Sequence, residues 1–272
     1  MDNYLVNSYD LHIHTAPDVV QRKLSDKEMA ERALARGMKG FAIKNHYSGT
    51  ADRVNALKES YPNLSIVGGI TLNDMVNELD PKVVEEEAKR GGRFVWFPTM
   101  EAYNYHQFKN QDTTGKLKIL ENGKLKNSVY EILEVIKHCK MILSTGHISK
   151  IEALELVKAG SKMGLKKMVL THADLPPVFT TSEEQKEFVA YGACIEHSYY
   201  TIFKGETSWE TMLEQIQTIG CDNILLSSDM GQAASPYPDD GLNEFAAGLL
   251  HRGIKQNNLD KMLITNPERL LS

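Results

Sequence analysis

The stretch Ser8-Tyr9-Asp10-Leu11-His12-Ile13-His14 is a short, largely apolar run that carries two histidines two positions apart. Residues i and i+2 of a strand point to the same side. Both imidazoles would therefore face one point, as two ligands of one metal ion must. The run predicts a first strand with a metal site at its carboxyl end, provided that more ligands follow the later strands.

Similar runs recur along the chain, and helical patterns or loops separate them. They are nearly continuously apolar, which is typical of parallel strands covered by helices. We predict eight strands, at Ser8–His14, Gly40–His46, Leu64–Leu72, Arg93–Thr99, Lys140–His147, Lys167–His172, Gly192–His197 and Asn223–Asp229. Eight strand–helix units in 272 residues favour an α/β fold of the (β/α)₈ TIM-barrel type, with one domain over residues 1–272. A doubly wound open sheet is the alternative, but no glycine-rich phosphate motif follows the first strand.

Helix starts and ends support this alternation. Five capping boxes are predicted, at Ser25/Glu28, Ser128/Glu131, Ser149/Glu152, Thr181/Glu184 and Thr207/Glu210. Asp80-Pro81 adds a cap with proline in the first turn. Glycines that fit left-handed helix ends are Gly37, Gly91, Gly160 and Gly220.

One segment departs from the repeat. Residues Lys116–Lys126 predict a β-hairpin whose turn contains Glu121-Asn122-Gly123. The hairpin would be a small insertion after the fourth strand, before a helix at Ser128–Lys140, where it could shape the rim of a pocket.

Composition excludes several classes of protein. The net charge is −5, with 36 acidic and 31 basic residues, and no basic block stands out, so a nucleic-acid partner is not indicated. The sequence has no signal-peptide core and no apolar run of membrane-spanning length. The three cysteines, at positions 139, 194 and 221, are few and far apart, as in a reduced cytoplasmic protein. We expect a cytoplasmic protein that acts on a small molecule, and a homo-oligomer stays open.

Polar residues cluster where the predicted strands end. Seven of the nine histidines lie at or just after these ends, at positions 12, 14, 46, 106, 147, 172 and 197. His138 and His251 lie on helical stretches instead. In a barrel this face carries the active site. Imidazole and carboxylate ligands without cysteine suit Zn²⁺ and similar divalent ions at a catalytic site.

These residues resemble the metal site of the amidohydrolase superfamily, including its TatD-like branch. The matching pattern is His12-x-His14 on strand one, His147 on strand five, His172 on strand six and Asp229 on strand eight. The resemblance spans nearly the whole chain, since the ending Thr265–Leu271 is similar to the closing helix of such enzymes. The segments 68–73 and 97–99 also look like an uncharacterised amidohydrolase-like branch.

The resemblance implies a metal-dependent hydrolase with one or two divalent ions, Zn²⁺ being favoured. His12, His14 and Asp229 would hold one ion, and His147 and His172 a second. The family's bridging ligand is usually a carboxylated lysine or a glutamate that ends strand four. Strand four has no lysine here, and Glu101 is the nearest carboxylate and the candidate bridge. Lys44, on strand two, stands at an unusual place for a carboxylated lysine but could contact substrate.

Further polar residues are candidates for binding substrate: Arg22, Lys44, His46, Asn73, His106 and His197. Each also has an ordinary structural explanation. Arg22 could form an ion pair with Asp18, Asn73 could cap a turn, and the histidines could be loop residues.

The expected reaction is hydrolysis of a small-molecule amide, ester, lactone or phosphoester by a metal-activated water. Asp229 would move the proton from water to the leaving group. Three alternatives stay open: a phosphoesterase or nuclease of the TatD or PHP type, a metal-dependent decarboxylase or hydratase, and a metal-binding protein without catalysis.

Overall fold

The structure is a computed structural model that describes residues 2–74 and 79–272. Apart from the two strands of the hairpin, its strands fall within or close to the eight predicted runs. They are β1 Tyr9–Ile13, β2 Gly40–Ile43, β3 Ser65–Val67, β4 Gly69–Thr71, β5 Phe94–Trp96, β6 Leu120–Glu121, β7 Lys124–Leu125, β8 Ile142–Ser144, β9 Met168–Leu170, β10 Ala193–Ser198 and β11 Ile224–Ser227. The third predicted strand is divided at Gly68 into β3 and β4, and β6 and β7 are the hairpin.

Helices alternate with these strands. They are α1 Asp26–Ala35, α2 Ala51–Lys58, α3 Pro81–Lys89, α4 Tyr103–Phe108, α5 Asn127–His138, α6 Lys150–Met163, α7 Ser182–Ala190, α8 Tyr199–Phe203, α9 Trp209–Ile219, α10 Pro238–His251, α11 Gln256–Asp260 and α12 Asn266–Leu271. Short 3₁₀ turns cover Pro176–Val178 and Cys221–Asn223, and a π-helical turn covers Lys261–Thr265. Within residues 2–74 and 79–272, no helix combines the length and the apolar character needed to cross a bilayer.

Apart from the hairpin, the strands form two parallel sheets, which establishes the mixed α/β class. One sheet has the order β1-β2-β3, and the other has the order β11-β10-β9-β8-β5-β4. The ends of the two sheets approach each other beyond β11, because the amide of Asp229 donates to the carbonyl of His12 at 2.9 Å and the amide of His14 donates to that of Met230 at 2.8 Å. This pairing places Asp229 beside the two histidines of the first strand.

Side chains on both faces of the strands are buried. Phe94 and Trp96 of β5 belong to a small apolar cluster that also contains Leu11 of β1. Val95, between them, belongs to a much larger cluster shared with the helices. Since neighbouring residues of a strand point to opposite faces, both faces of β5 are covered by apolar groups. This explains the nearly continuous apolar runs in the sequence.

Three of the five predicted capping boxes are confirmed. Ser25 with Glu28, Ser149 with Glu152 and Thr181 with Glu184 make both reciprocal bonds, and Asp80 caps α3 before a proline at its start. These helices begin where the sequence predicts because the side-chain oxygens replace missing backbone acceptors.

The other two boxes are wrong: the observed cap lies one residue after Thr207 in one case and two residues before Ser128 in the other. The hydroxyl of Thr207 donates to the carbonyl of Asp174 at 2.6 Å, so Ser208 caps α9 in its place. The helix predicted from Ser128 begins at Asn127, because the amide of Lys126 bonds back to the carbonyl of Ile119 and the chain enters the helix early. Both differences depend on tertiary contacts that a local pattern does not contain.

Three of the four glycines predicted at helix ends lie there. Gly37 and Gly91 come directly after helices with φ of 69° and 96°, and Gly220 ends α9 with φ of 79°. The prediction for Gly160 is wrong, because this residue lies buried inside α6. That helix continues to a left-handed Gly164.

The predicted hairpin is confirmed, with a shorter ladder than the span Lys116–Lys126. Leu120 pairs with Leu125 and Glu121 with Lys124 in antiparallel register. Asn122 and Gly123 both have positive φ, 51° and 75°, which is the backbone of a type I′ turn.

The start of α2 has a cap that no local pattern predicts. Thr50 precedes this helix without a side-chain capping bond of its own. Instead Oε1 of Glu87, on α3, accepts from the amides of Thr50 and Ala51 at 2.9 Å each. Only 3% of Glu87 is exposed, and burial raises the pKa of its carboxyl.

Glu87→Ala is therefore expected to lower the free energy of unfolding by about 1–2 kcal/mol, since it leaves the buried amide of Ala51 without an acceptor. The amide of Thr50 keeps the carbonyl of Gly69 as an acceptor at 3.1 Å. Urea unfolding followed by circular dichroism measures the change. Glu86→Ala, an exposed neighbour on the same helix, is the matched control. An equal loss in both variants would show that Glu87 acts only through helix propensity.

Candidate metal centre

A cavity of about 180 Å³ opens at the carboxyl ends of the strands. One part of its lining is polar and contains four histidines, a lysine and an aspartate: His14, His46, His147, His172, Lys44 and Asp229. The other part is mostly aromatic and aliphatic, and includes Met100, Tyr105, Phe108, Leu175 and Pro176. Such a cavity can hold a small molecule with its reacting group at the polar end.

Asp229 brings the two histidines of the first strand together. Its Oδ1 lies 3.3 Å from Nε2 of His12 and 3.1 Å from Nε2 of His14. All three residues are buried. Two ligands held about 2.1 Å from one tetrahedral ion lie about 3.4 Å apart. The two distances to Asp229 are close to this value, and all three ligand atoms lie within 4.8 Å of one another, as a single ion requires.

His172 and His147 extend the cluster. Nε2 of His172 lies 3.8 Å from Oδ2 of Asp229, and its ring centroid is 4.6 Å from that of His12. The ring of His147 lies 5.3 Å from that of His172. Both nitrogens of His147 are buried and have no hydrogen-bond partner among the described residues. A buried polar atom without a partner is costly, so the site suits a bound group that would supply one.

The backbone at two of these positions is unusual. His172 and Asp229 have φ of 52° and 51°, in the left-handed region that residues other than glycine rarely adopt. Such conformations cost about 1–3 kcal/mol and concentrate at functional sites. The next turn requires glycine, because a Cβ at Gly231 would lie 1.7 Å from the carbonyl oxygen of His14.

Burial sets the charge of the histidines. It lowers the pKa of His12, His14, His147 and His172 well below the ordinary value for histidine, and nearby Lys44 lowers it further. These rings are consequently neutral at neutral pH, which is the state that binds a metal ion. Metal binding would not have to displace protons from imidazolium groups.

Lys44 enters the same cluster from β2. It is completely buried, and its Nζ lies 3.0 Å from Nε2 of His12. Burial lowers its pKa to about 8. Lys44 is thus close enough to act on a ligand or a substrate held by His12.

Arg22 contacts the far side of His14. Its Nε donates to Oδ2 of Asp18 at 2.7 Å, so the expected ion pair forms, and its Nη2 lies 3.3 Å from Nδ1 of His14. A guanidinium only donates, which favours the His14 proton on Nε2. Metal binding at Nε2 would place the ring proton on Nδ1 instead. Nδ1 could then no longer accept a hydrogen bond from Arg22.

Glu101, the candidate bridge, lies apart from this cluster. Its carboxylate accepts from the hydroxyl of Tyr47 at 2.7 Å and from Nζ of Lys116 at 2.6 Å. It belongs neither to the groups of ligand atoms that converge nor to the lining of the cavity. Strand β5 ends at Trp96, and Glu101 lies in the segment between this strand and α4.

His46 lies within the site and Asn73 supports it. The His46 ring stacks on that of His14 at 4.9 Å, and its Nδ1 lies 2.9 Å from Oγ1 of Thr99. Nδ2 of Asn73 donates to the carbonyl of His46 at 2.8 Å and to Oγ1 of Thr99 at 2.7 Å. Asn73 therefore holds the loop that carries His46 rather than lining the cavity.

Two predicted substrate-binding histidines lie elsewhere. Nε2 of His106 bonds the carbonyl of Met100 at 2.8 Å, within the α4 region. His197 is completely buried, and its Nδ1 lies 3.4 Å from Oδ1 of Asp174. His197 follows Glu196 on β10 and so points to the opposite face of the sheet. Neither histidine is among the described residues that line the cavity.

Glu196 is a site residue to which the sequence assigned no role. Its Oε1 lies 2.9 Å from Nδ1 of His12, and Glu196 also forms a second group of potential ligands with His12 and His172. Its place two residues before Ser198 on the same strand could have indicated that both face the site.

A family described as "Family of unknown function (DUF6282)" matches residues 7–196, which is more than half of the chain. The chain belongs to the DUF6282 family. None of the curated proteins compared with it matches.

Solved structures similar to this DUF6282 protein include an amidohydrolase from Pseudomonas aeruginosa, with 14% identity and a TM-score of 0.69 over 99% of this chain and 96% of that one. An organophosphorus hydrolase from Deinococcus radiodurans is 13% identical, with a TM-score of 0.63 over 100% and 94%. A 2,6-dihydroxybenzoate decarboxylase from Rhizobium is 14% identical, with a TM-score of 0.64 over 97% and 98%. The protein has the fold of the amidohydrolase superfamily, and at these identities the likeness concerns the fold alone.

Proposed function

We propose that this DUF6282 protein is a metal-dependent hydrolase that acts on a small-molecule amide, ester, lactone or phosphoester. The observation that carries the proposal is the convergence of Asp229 Oδ1 with Nε2 of His12 and His14, at 3.3 and 3.1 Å, beside a cavity. Three ligand-type atoms at this spacing, with room for a substrate next to them, are typical of a catalytic metal site.

The proposal extends to the architecture and location of the protein. The two sheets would close into one (β/α)₈ barrel over residues 1–272, supported by the bonds between β1 and the residues after β11. The superfamily fold of its structural neighbours agrees with a barrel. Three free cysteines, with the pKa of the Cys194 thiol raised by burial, fit the cytoplasm.

His12, His14 and Asp229 would hold one divalent ion, with Zn²⁺ favoured by the nitrogen and oxygen donors. His172 and His147 would complete this site or hold a second ion, since the free nitrogens of His147 need a partner. When bound, such an ion supplies Lewis acidity and makes a water molecule acidic enough to react at neutral pH.

The residues of the chain would divide the remaining work. Asp229 lines the cavity and would accept the proton of the attacking water and return it to the leaving group. Lys44, whose Nζ reaches His12, and His46 would donate to substrate oxygens. The aromatic and aliphatic wall would exclude bulk water from the apolar part of the substrate.

Purified protein is expected to carry one to two equivalents of a divalent transition metal, most readily Zn²⁺. Elemental analysis of protein prepared without chelator measures this, and reconstitution of chelated protein provides the control. Less than about a tenth of an equivalent, with no uptake on reconstitution, would end the metal proposal, because such sites bind strongly. Ester, lactone, amide and phosphoester panels with the loaded protein would then identify the reaction.

A metal-dependent decarboxylase is the second candidate function, and the position of Glu101 outside the metal centre supports it. With Glu101 held by Tyr47 and Lys116, the carboxylate that was the candidate bridge lies outside the converging ligand groups. The carboxylates of those groups are Asp229 and Glu196. A single ion suits either reaction. Release of CO₂ from carboxylated aromatic substrates, without activity on the hydrolase panel, would decide for the decarboxylase.

A further inference from the structure

A chain of buried hydrogen bonds connects His12 to His172 through residues behind the metal centre. Oε1 of Glu196 lies 2.9 Å from Nδ1 of His12 and accepts from the hydroxyl of Ser227 at 2.8 Å. Oγ of Ser227 lies 3.1 Å from Oγ of Ser198, which lies 3.0 Å from Nδ1 of His172. All five residues are at least 95% buried.

The direction of each bond follows from the number of protons available. Ser227 has one hydroxyl proton and donates it to Glu196, so it must accept from Ser198. Ser198 then has no proton left, and it accepts from Nδ1 of His172. His172 therefore carries its ring proton on Nδ1.

The tautomer of His12 is fixed from both sides. Nδ1 faces the acceptor Oε1 of Glu196, and Nε2 faces the ammonium of Lys44 at 3.0 Å, which can only donate. The proton of His12 thus lies on Nδ1 and the lone pair on Nε2. In both histidines the free lone pair is on the nitrogen that faces Asp229.

We propose that Glu196, Ser227 and Ser198 form a positioning relay that holds the protons of His12 and His172 on Nδ1 and presents both Nε2 lone pairs to the metal centre. The proposal rests on the proposed function, since it assigns these three residues the task of ordering metal ligands. Metal-binding histidines commonly have a hydrogen-bond partner on the second ring nitrogen. Here one carboxylate, that of Glu196, contacts His12 directly and reaches His172 through the two serines.

The register of the sheet explains why the relay is possible. Ser198 and Ser227 are direct partners in the parallel pairing of β10 and β11. Glu196 lies two residues before Ser198 on the same strand and shares its face. The three groups are therefore held by backbone pairing, and the relay needs no flexible segment.

Ser198→Ala tests the relay with two independent readouts. In metal-free protein, ¹⁵N spectra of the histidine rings, assigned with a His172→Ala variant, should show the His172 proton on Nδ1 in the wild type and on Nε2 in Ser198→Ala. Zn²⁺ affinity, measured by chelator competition, should fall about 10- to 100-fold in Ser198→Ala and also in Ser227→Ala.

Ser144→Ala is the matched control, because Ser144 is a buried serine at the end of β8 whose hydroxyl has no hydrogen-bond partner among the described residues. It should keep the wild-type affinity. An unchanged His172 tautomer with unchanged affinity in Ser198→Ala and Ser227→Ala would overturn the relay. Absence of metal from the wild type would instead refute the proposed function, and the ring spectra would still decide the proton positions.

Discussion

His12→Ala is expected to leave a folded protein that no longer holds a stoichiometric metal ion. His12 lies at the centre of the cluster, within reach of Asp229, Lys44 and Glu196. Since loss of a residue that only orients a ligand costs about 10- to 100-fold in affinity, loss of the ligand itself should cost more than about 100-fold. Elemental analysis after dialysis would show less than about a tenth of an equivalent, and turnover should fall to background.

In the proposed barrel the fold should persist, because the active-site face of a TIM barrel is separate from the opposite face, whose residues serve stability. Circular dichroism and thermal unfolding would verify this. His138→Ala is the control, since His138 is an exposed histidine at the end of α5. Collapse of the His12→Ala protein, with His138→Ala unaffected, would make His12 a structural residue, and retention of metal in His12→Ala would remove it from the ligand set.

Much of this architecture could be predicted because the sequence encodes it locally. Parallel strands buried on both faces are mostly apolar, so β5, β8 and β9 are visible in the sequence as apolar runs. Where tertiary contacts intervene, prediction lost accuracy. The capping box at Thr207 was wrong because that hydroxyl bonds to Asp174, a residue distant in sequence.

The site divides in the same way. His12 lies on β1 and His14 directly after it, two residues apart, so their shared direction is the one that an extended chain predicts. Their approach to Asp229 depends on the closure of β1 with the residues after β11, which strand-end positions only suggest. Glu196 and Glu101 are both glutamates at or just after the end of a predicted strand, but only Glu101 was predicted to bind metal. Only the register of β10 with β11, and its distance from His12, separate the two carboxylates.

Histidines show the limit of counting residue types at strand ends. His197 follows Glu196 directly, and one step along a strand turns a side chain to the opposite face. His197 therefore bonds Asp174 on the helix side of the sheet while Glu196 faces His12. A histidine at a strand end predicts a site residue only when the face of the sheet to which it points is also known.

Asp229→Asn is expected to lower turnover about 10²–10⁴-fold on any substrate that the panels identify, the usual cost of losing a general base. The substitution keeps the size of the side chain and one oxygen. That oxygen can stay near His12 and His14, while the new amide can face Nε2 of His172, which carries a lone pair and lies 3.8 Å from Oδ2. Most of the bound metal should therefore remain, and the loss should appear in kcat rather than in metal content.

Asp222→Asn is the matched control for that experiment. Asp222 lies in the 3₁₀ turn directly before β11, at the opposite end of the strand that Asp229 follows, and it pairs with Lys261 on the surface. The same chemical change there should leave turnover within about twofold of the wild type, since surface ion pairs contribute little. Near-wild-type turnover in Asp229→Asn would show that Asp229 only shapes the turn before Gly231, where aspartate is common and its φ of 51° is tolerated. Loss of metal together with turnover would show instead that both oxygens bind the ion, so that Asp229 acts as a ligand rather than as a base.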